Sequence, residues 1–201
     1  MTFFDSDPGF GFVIGFTHEP RYDFGIFTKG YRLAASKLAE ALLSIGNFRD
    51  YEAYPVVFLY RHAFELHLKN IIYKSARLSF FKQLADFELQ LWNQHKLPPL
   101  AKKAVTVLQK LFPDNHSLEP VLQKLEKSAN EFAEIDPDSY SYRYPVDTKG
   151  QQSTKPHQGL SLKGPYITMD ALLDELEVID FGLDVETDQA EEIWQLLQTG
   201  W

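Results

Sequence analysis

The chain predicts an all-α fold, a bundle of five to seven helices with an irregular N-terminal arm. Three observations carry that expectation. Apolar residues recur at spacings of three and four through most of the chain after residue 26. No internal repeat and no series of alternating strands interrupts them. Of the 201 residues, 44% are hydrophobic and 14% aromatic, enough for the core of one domain.

Residues 1–26 read as the arm. Pro8, Gly9, Gly11, Gly15, Pro20 and Gly25 punctuate Phe10, Phe12, Phe16, Tyr22 and Phe24, with a short strand or hairpin expected around 11–17. These aromatics would anchor the arm on the bundle or on a partner subunit. Gly9-x-Gly11 lacks the helix that must follow a phosphate loop.

The helical domain spans 27–201. Phe27, Tyr31, Ala34, Leu38, Ala41, Leu42 and Ile45 mark a helix over 27–45, closed by Gly46. A second runs from 51 or 55 to about 76, with Asp50 as cap and Pro55 in its first turn. Phe80, Phe81, Leu84, Phe87, Leu91 and Trp92 predict a helix over 79–95, and another follows over 99–112. Ser117 is placed as the cap of the next, whose stripe is Leu118, Val121, Leu122, Leu125, Ala129 and Phe132; Asp136-Pro137-Asp138 ends it. Residues 139–166 form a long loop, a length often tied to function. Thr168 then caps a helix carrying Leu172, Leu173, Leu176 and Ile179. Gly182 interrupts it, and Thr187 caps a last acidic helix through Trp194 and Leu197.

Composition excludes several classes. No stretch approaches the roughly 18–20 apolar residues of a membrane span, and no signal peptide is expected because the N-terminus lacks a basic flank and a long apolar run. Cysteine is absent, which removes thiolate chemistry and suits a cytoplasmic protein. The net charge of -8 is unevenly spread: residues 51–110 hold nine Lys/Arg against four Asp/Glu (+5), and 171–201 hold nine Asp/Glu and no Lys or Arg (-9). Solvated helix faces explain this, as does a basic centre that meets an anion such as RNA phosphate.

The second helix holds the candidate site. Arg61, His62, Glu65, His67 and Lys69 are embedded in Val56, Val57, Phe58, Leu59, Ala63, Phe64, Leu66 and Leu68. Charges in such surroundings must be paired or used. At 100° per residue from Pro55, Arg61, Glu65, Lys69 and His62 fall at about 240°, 280°, 320° and 340°, one polar strip, while Leu59, Ala63 and Leu66 face the core. His67 falls at about 120°, away from the strip. As structure, Arg61, Glu65 and Lys69 form an i, i+4, i+8 charge ladder. As chemistry, an arginine can hold a phosphate bidentately and a histidine can move the proton of a ribose 2′-hydroxyl, together cleaving RNA without a metal. Groups at different azimuths would be better assembled from two subunits about a twofold axis.

Arg61-His62-x4-His67 resembles the Arg-polar…His motif of HEPN-domain proteins. Asn93-Gln94-His95-Lys96-Leu97 and Tyr142-Arg143-Tyr144-Pro145-x-Asp147 are similar to a His-polar-Leu segment and an aromatic-Arg-Tyr-Pro loop in uncharacterised HEPN-like proteins. The resemblance covers roughly 27–180. It implies a HEPN-like bundle, commonly homodimeric, with metal-independent endoribonuclease activity of toxin or phage-defence type. Arg61 and His67 would then be the catalytic pair assisted by His62, with Lys69 and Arg143 on RNA phosphates and Glu65 and His95 in a supporting network. The alternative is a non-catalytic nucleotide-binding or scaffold bundle, including one that works with a partner protein. Neither needs a cofactor.

A metal site is not expected. His62 and His67 lie about 140° apart around the helix and cannot chelate one ion. His18, His95, His116 and His157 stand apart in sequence, and Asp5-x-Asp7 lacks the rest of a calcium loop. Nucleophile-elbow, Walker and kinase signatures are missing. Arg143 between Tyr142 and Tyr144 either pairs with a carboxylate or lines a site where tyrosines stack on bases.

Overall fold

The computed structural model describes residues 24–84, 91, 93–154, 159 and 161–199. The arm before Phe24 lies outside the described residues, as do His18, Phe87, Trp92 and His157. The molecule is an all-α bundle. Its helices are α1 (Phe24–Ile45), α2 (Asp50–Phe81), α3 (Leu97–Leu111), α4 (Glu119–Ile135) and α5 (Lys163–Thr199), with a 3-10 turn at His116–Leu118. Among the described residues the extended backbone amounts to a single bridge between Val146 and Gln152.

Helix α2 is the axis of the bundle, packed against α1, α3 and α5, while α4 joins α3 to α5. Its sequence explains the position. Val56, Tyr60, Ala63, Phe64, Leu68, Ile71, Ile72 and Leu78 are all fully buried, and they lie on several faces rather than one. Burial of Ser75, Ala76 and Leu78 carries the helix past residue 76 to Phe81. It ends in a Schellman arrangement: Leu84 N–H donates to Ser79 O, Gln83 N–H donates to Phe80 O, and Gln83 takes a left-handed φ of 55°. The first turn also differs from expectation. Arg49 is the N-cap, Glu52 accepts its N–H, and Pro55 sits one turn inside on the exposed face.

Other boundaries shift for local reasons. α1 starts at Phe24, inside the expected arm, because Thr28 Oγ1 donates back to Phe24 O (2.9 Å). Gly46 does close it, with φ 71° and its N–H on Leu42 O. Ser117 does not cap the next helix: the N-cap of α4 is Leu118, with no side-chain cap, and Ser117 lies in the 3-10 turn, where its N–H donates to Asn115 Oδ1. The expected helix over 79–95 is α2 as far as Phe81, and 85–90 lie outside the described residues.

The largest correction concerns α5. Gly182 does not interrupt it, and Thr187 caps nothing; its Oγ1 back-bonds to Leu183 O (2.6 Å) inside one continuous helix. Leu176, Ile179, Leu183, Thr187 and Ala190 form one buried stripe straight through Gly182. A mid-helix glycine costs about 1 kcal/mol, less than burial of two of those apolar side chains returns.

That stripe is flanked by carboxylates, and the rest of the bundle answers them. Lys29 meets Glu177 (3.1 Å), Arg32 meets Asp170 and Asp174 (3.2 and 2.6 Å), and Lys74 meets Asp180 and Asp184 (3.3 and 2.7 Å). Arg77 meets Glu191, Lys82 meets Glu186 (both 2.8 Å), and Lys124 meets Glu175. Three of the nine Lys/Arg of 51–110, Lys74, Arg77 and Lys82, are thus matched by carboxylates of α5. No helix among the described residues is long and apolar enough to cross a membrane.

Candidate functional site

The polar strip of α2 is not a solvent face. Arg61, Glu65 and Lys69 are 1%, 1% and 4% exposed, whereas Leu59 and Leu66, expected on the core side, are only half-buried. The strip is covered by the segment before α3 and by the turn after α4. Arg61 Nη1 donates to Glu65 Oε2 (3.2 Å), Nη2 donates to the His95 carbonyl (2.9 Å), and Nε lies 3.1 Å from Asp136 Oδ2. Lys69 Nζ donates to Glu65 Oε1 (2.8 Å). Asp136 is 1% exposed and its other oxygen accepts from Ser141 N (3.0 Å). Two cations therefore face two carboxylates, and the buried charge closes on itself.

His95 completes the cluster from outside. Its Nδ1 is 2.9 Å from Glu65 Oε1, a distance that assigns the proton to Nδ1, since an ionised carboxylate only accepts. The ring is largely exposed, so Nε2 faces outward. Burial pushes the Glu65 carboxyl upward, but the hydrogen bonds and charges of Lys69 and His95 outweigh it and hold it below its ordinary value.

His67 sits elsewhere. It is 5% exposed and turns toward α5, with Nε2 3.9 Å from Asp180 Oδ2. No side chain hydrogen-bonds to either ring nitrogen, and the Leu176 backbone is beside the ring. Burial lowers its pKa, against the Asp180 charge and the Leu176 backbone, so the fold disfavours the charged ring. Within one chain Arg61 and His67 are not brought together.

His62 and Arg143 are brought to the same ring, Phe58, on a half-open face. His62 stacks on Phe58 (5.6 Å between centroids, 13° between planes) and lies edge-on to Tyr31 (4.5 Å). Arg143 lies over Phe58, Tyr140 and Tyr144, 5.4, 5.6 and 5.6 Å from their centroids, and its Nε donates to Ser139 O (2.7 Å). Its terminal nitrogens meet no carboxylate among the described residues. Burial lowers the His62 pKa, and the Arg143, Lys69 and Arg61 charges lower it further against Glu65.

On the other side of the same loop is a cavity of about 850 Å³. Val57, Phe132 and Met169 line it, and Tyr54 and Tyr142 meet edge to face on its wall, 5.9 Å apart. Burial, with Asp136 nearby, raises the Tyr142 pKa to about 12, so its hydroxyl remains a donor. No group of three or more His, Asp or Glu among the described residues is placed to hold a metal ion.

Sequence reasoning missed Asp136, Phe58 and Asp180. A signal for the first existed: Arg61 and Lys69 against Glu65 leave one positive charge over, and a buried strip needs a further carboxylate. Which carboxylate answers is a tertiary matter. Comparison with protein-family models, with curated proteins and with solved structures gives no match for this chain.

Proposed function

We propose that this chain is a cytoplasmic helical bundle that binds a nucleotide or single-stranded RNA on the Phe58–His62–Arg143 face without cutting it, and that the Arg61–Glu65–Lys69 strip is structural. The observation that carries this reading is Arg143. Its guanidinium is held by three rings and one carbonyl, with its terminal nitrogens exposed and no carboxylate on them. A fixed arginine beside exposed aromatic rings offers a bidentate phosphate contact next to surfaces on which bases stack. Arg61, in contrast, is buried and spent on Glu65, Asp136 and the His95 carbonyl.

The test is fluorescence anisotropy with a labelled single-stranded RNA of about ten nucleotides. Arg143→Ala should weaken binding at least tenfold and Arg143→Lys should restore part of it. Equal binding by wild type and Arg143→Ala would remove the proposal. A homodimer and a partner protein belong to the same reading, and light scattering of the purified chain reads the first directly.

A second reading, metal-independent endoribonuclease, has one observation in its favour. His95 is oriented through Nδ1 by a buried carboxylate while Nε2 stays exposed, the arrangement a general base needs. RNA cleavage in EDTA by wild type, with loss in His95→Ala at an unchanged urea midpoint, would establish it in place of the binding reading; loss in Arg61→Ala or His67→Ala counts only where the variant stays folded.

A further inference from the structure

A second cavity, about 380 Å³, lies between α1 and α5, away from the Arg143 face. Gly25, Thr28, Leu33 and Ser36 line it from α1, and Asp170, Leu173, Glu177 and Asp180 from α5. His67 enters it from α2. Lys29 and Arg32 stand at its sides, already occupied by Glu177, Asp170 and Asp174.

Two of its lining groups are incompletely matched. His67 is more than nine-tenths buried; the Leu176 backbone is beside its ring, and no side chain hydrogen-bonds to either ring nitrogen. Asp180 uses Oδ2 for Asn70 and Lys74, and Lys74 is shared with Asp184; Asp180 Oδ1 is buried with no partner. Buried polar atoms without partners cost about 1–3 kcal/mol each, so a pair facing one cavity is a site for something that supplies hydrogen bonds. A neutral imidazole carries one bare nitrogen, and Asp180 Oδ1 accepts when the carboxylate is ionised, a form that burial disfavours and that a cation in the cavity would favour. Two converging acceptors call for N–H donors. Three carboxylates line the space, and the described cations beside it are tied to carboxylates, which favours a positive donor. Leu33 and Leu173 offer surface to a short carbon chain.

We propose that the α1–α5 cavity binds a small primary alkylammonium, its N–H groups donating to Asp180 Oδ1 and to the unprotonated nitrogen of His67. The site is independent of the Arg143 face, so either can fail without the other.

The experiment is NMR of the His67 ring nitrogens in the whole chain at neutral pH, titrated with n-butylammonium chloride. Tetramethylammonium chloride keeps the charge without N–H donors, and 1-butanol keeps the chain without the charge. Saturable shifts are expected with n-butylammonium and not with the other two. Asp180→Asn should weaken binding at least tenfold. Leu33→Trp, at the exposed mouth, should block entry without touching the buried groups, which covers the case in which Asp180→Asn fails to fold. No saturable shift, an equal response to tetramethylammonium, or unchanged binding in Leu33→Trp would overturn the proposal.

Discussion

The guanidinium of Arg61 lies 3.1 Å from the carboxylate of Asp136, and both side chains are 1% exposed. One residue is midway along α2 and the other ends α4, so the pair ties the axis of the bundle to the loop that carries Arg143. A buried ion pair adds little net stability when whole, because desolvation offsets attraction, but it is costly to break. Arg61→Ala should therefore lower the unfolding free energy by about 3–5 kcal/mol, read by urea denaturation. Arg61→Ala/Asp136→Ala should cost less than the sum of the single changes by at least about 1 kcal/mol. Strict additivity would show that the two charges do not stabilise each other.

Arg143 should show the opposite profile. It is exposed, and its ring contacts are worth about 0.5–1 kcal/mol at such sites. Arg143→Ala should leave the urea midpoint almost unchanged while removing RNA binding. A large loss of stability would instead make Arg143 a structural pin of the loop.

Gly182 offers a test of the continuous α5. A Cβ built there meets nothing within 4 Å, and the φ is helical rather than left-handed. Gly182→Ala should then raise stability by about 0.5–1 kcal/mol, seen as a higher Tm by circular dichroism. A lower Tm would mean that the helix bends at this point.

Stability should also fall on mild acidification. The folded-state pKa values of His67 and His62 lie below the ordinary histidine value, chiefly through burial. The folded form therefore binds fewer protons than the unfolded chain below about pH 6.5. The stabilisation is complete above that pH and is lost as pH falls toward the folded values. His67 can contribute up to about 1.4 kcal/mol per pH unit, half-exposed His62 less because solvent screens it, and Asp180, whose pKa burial raises, offsets part of the His67 slope. Urea unfolding at pH 7.5 and pH 5.5 measures the slope. His67→Gln should flatten it more than His62→Gln, since His67 is the more deeply buried. An unchanged slope in His67→Gln would show that this ring gains its proton without cost in the folded state.

The helices were legible because periodicity reports a buried stripe wherever the stripe is continuous. Where a single residue was allowed to overrule the stripe, the reading failed. Gly182 looked like a break and Ser117 like a cap, yet Leu183 continues the stripe and Asn115 reaches the turn first. The site was half legible. Placing Arg61, Glu65 and Lys69 on one strip, as a charge ladder, was sound geometry, but giving the core to the flank of Leu59 and Leu66 was not. A helix wheel reports which residues share a face, not what lies over it.

Local chemistry in the sequence determined the all-α class, a helical stretch within each of the five helices and the separation of His67 from Arg61, because these follow from the 3.6-residue repeat alone. The partners came from tertiary structure. Asp136 and the His95 carbonyl close over Arg61, three aromatic rings gather under Arg143, and Asp180 faces His67. Apart from Tyr140 and Tyr144 beside Arg143, these contacts join residues far apart in the chain, and a charge in a buried strip becomes structural or reactive according to which distant group answers it.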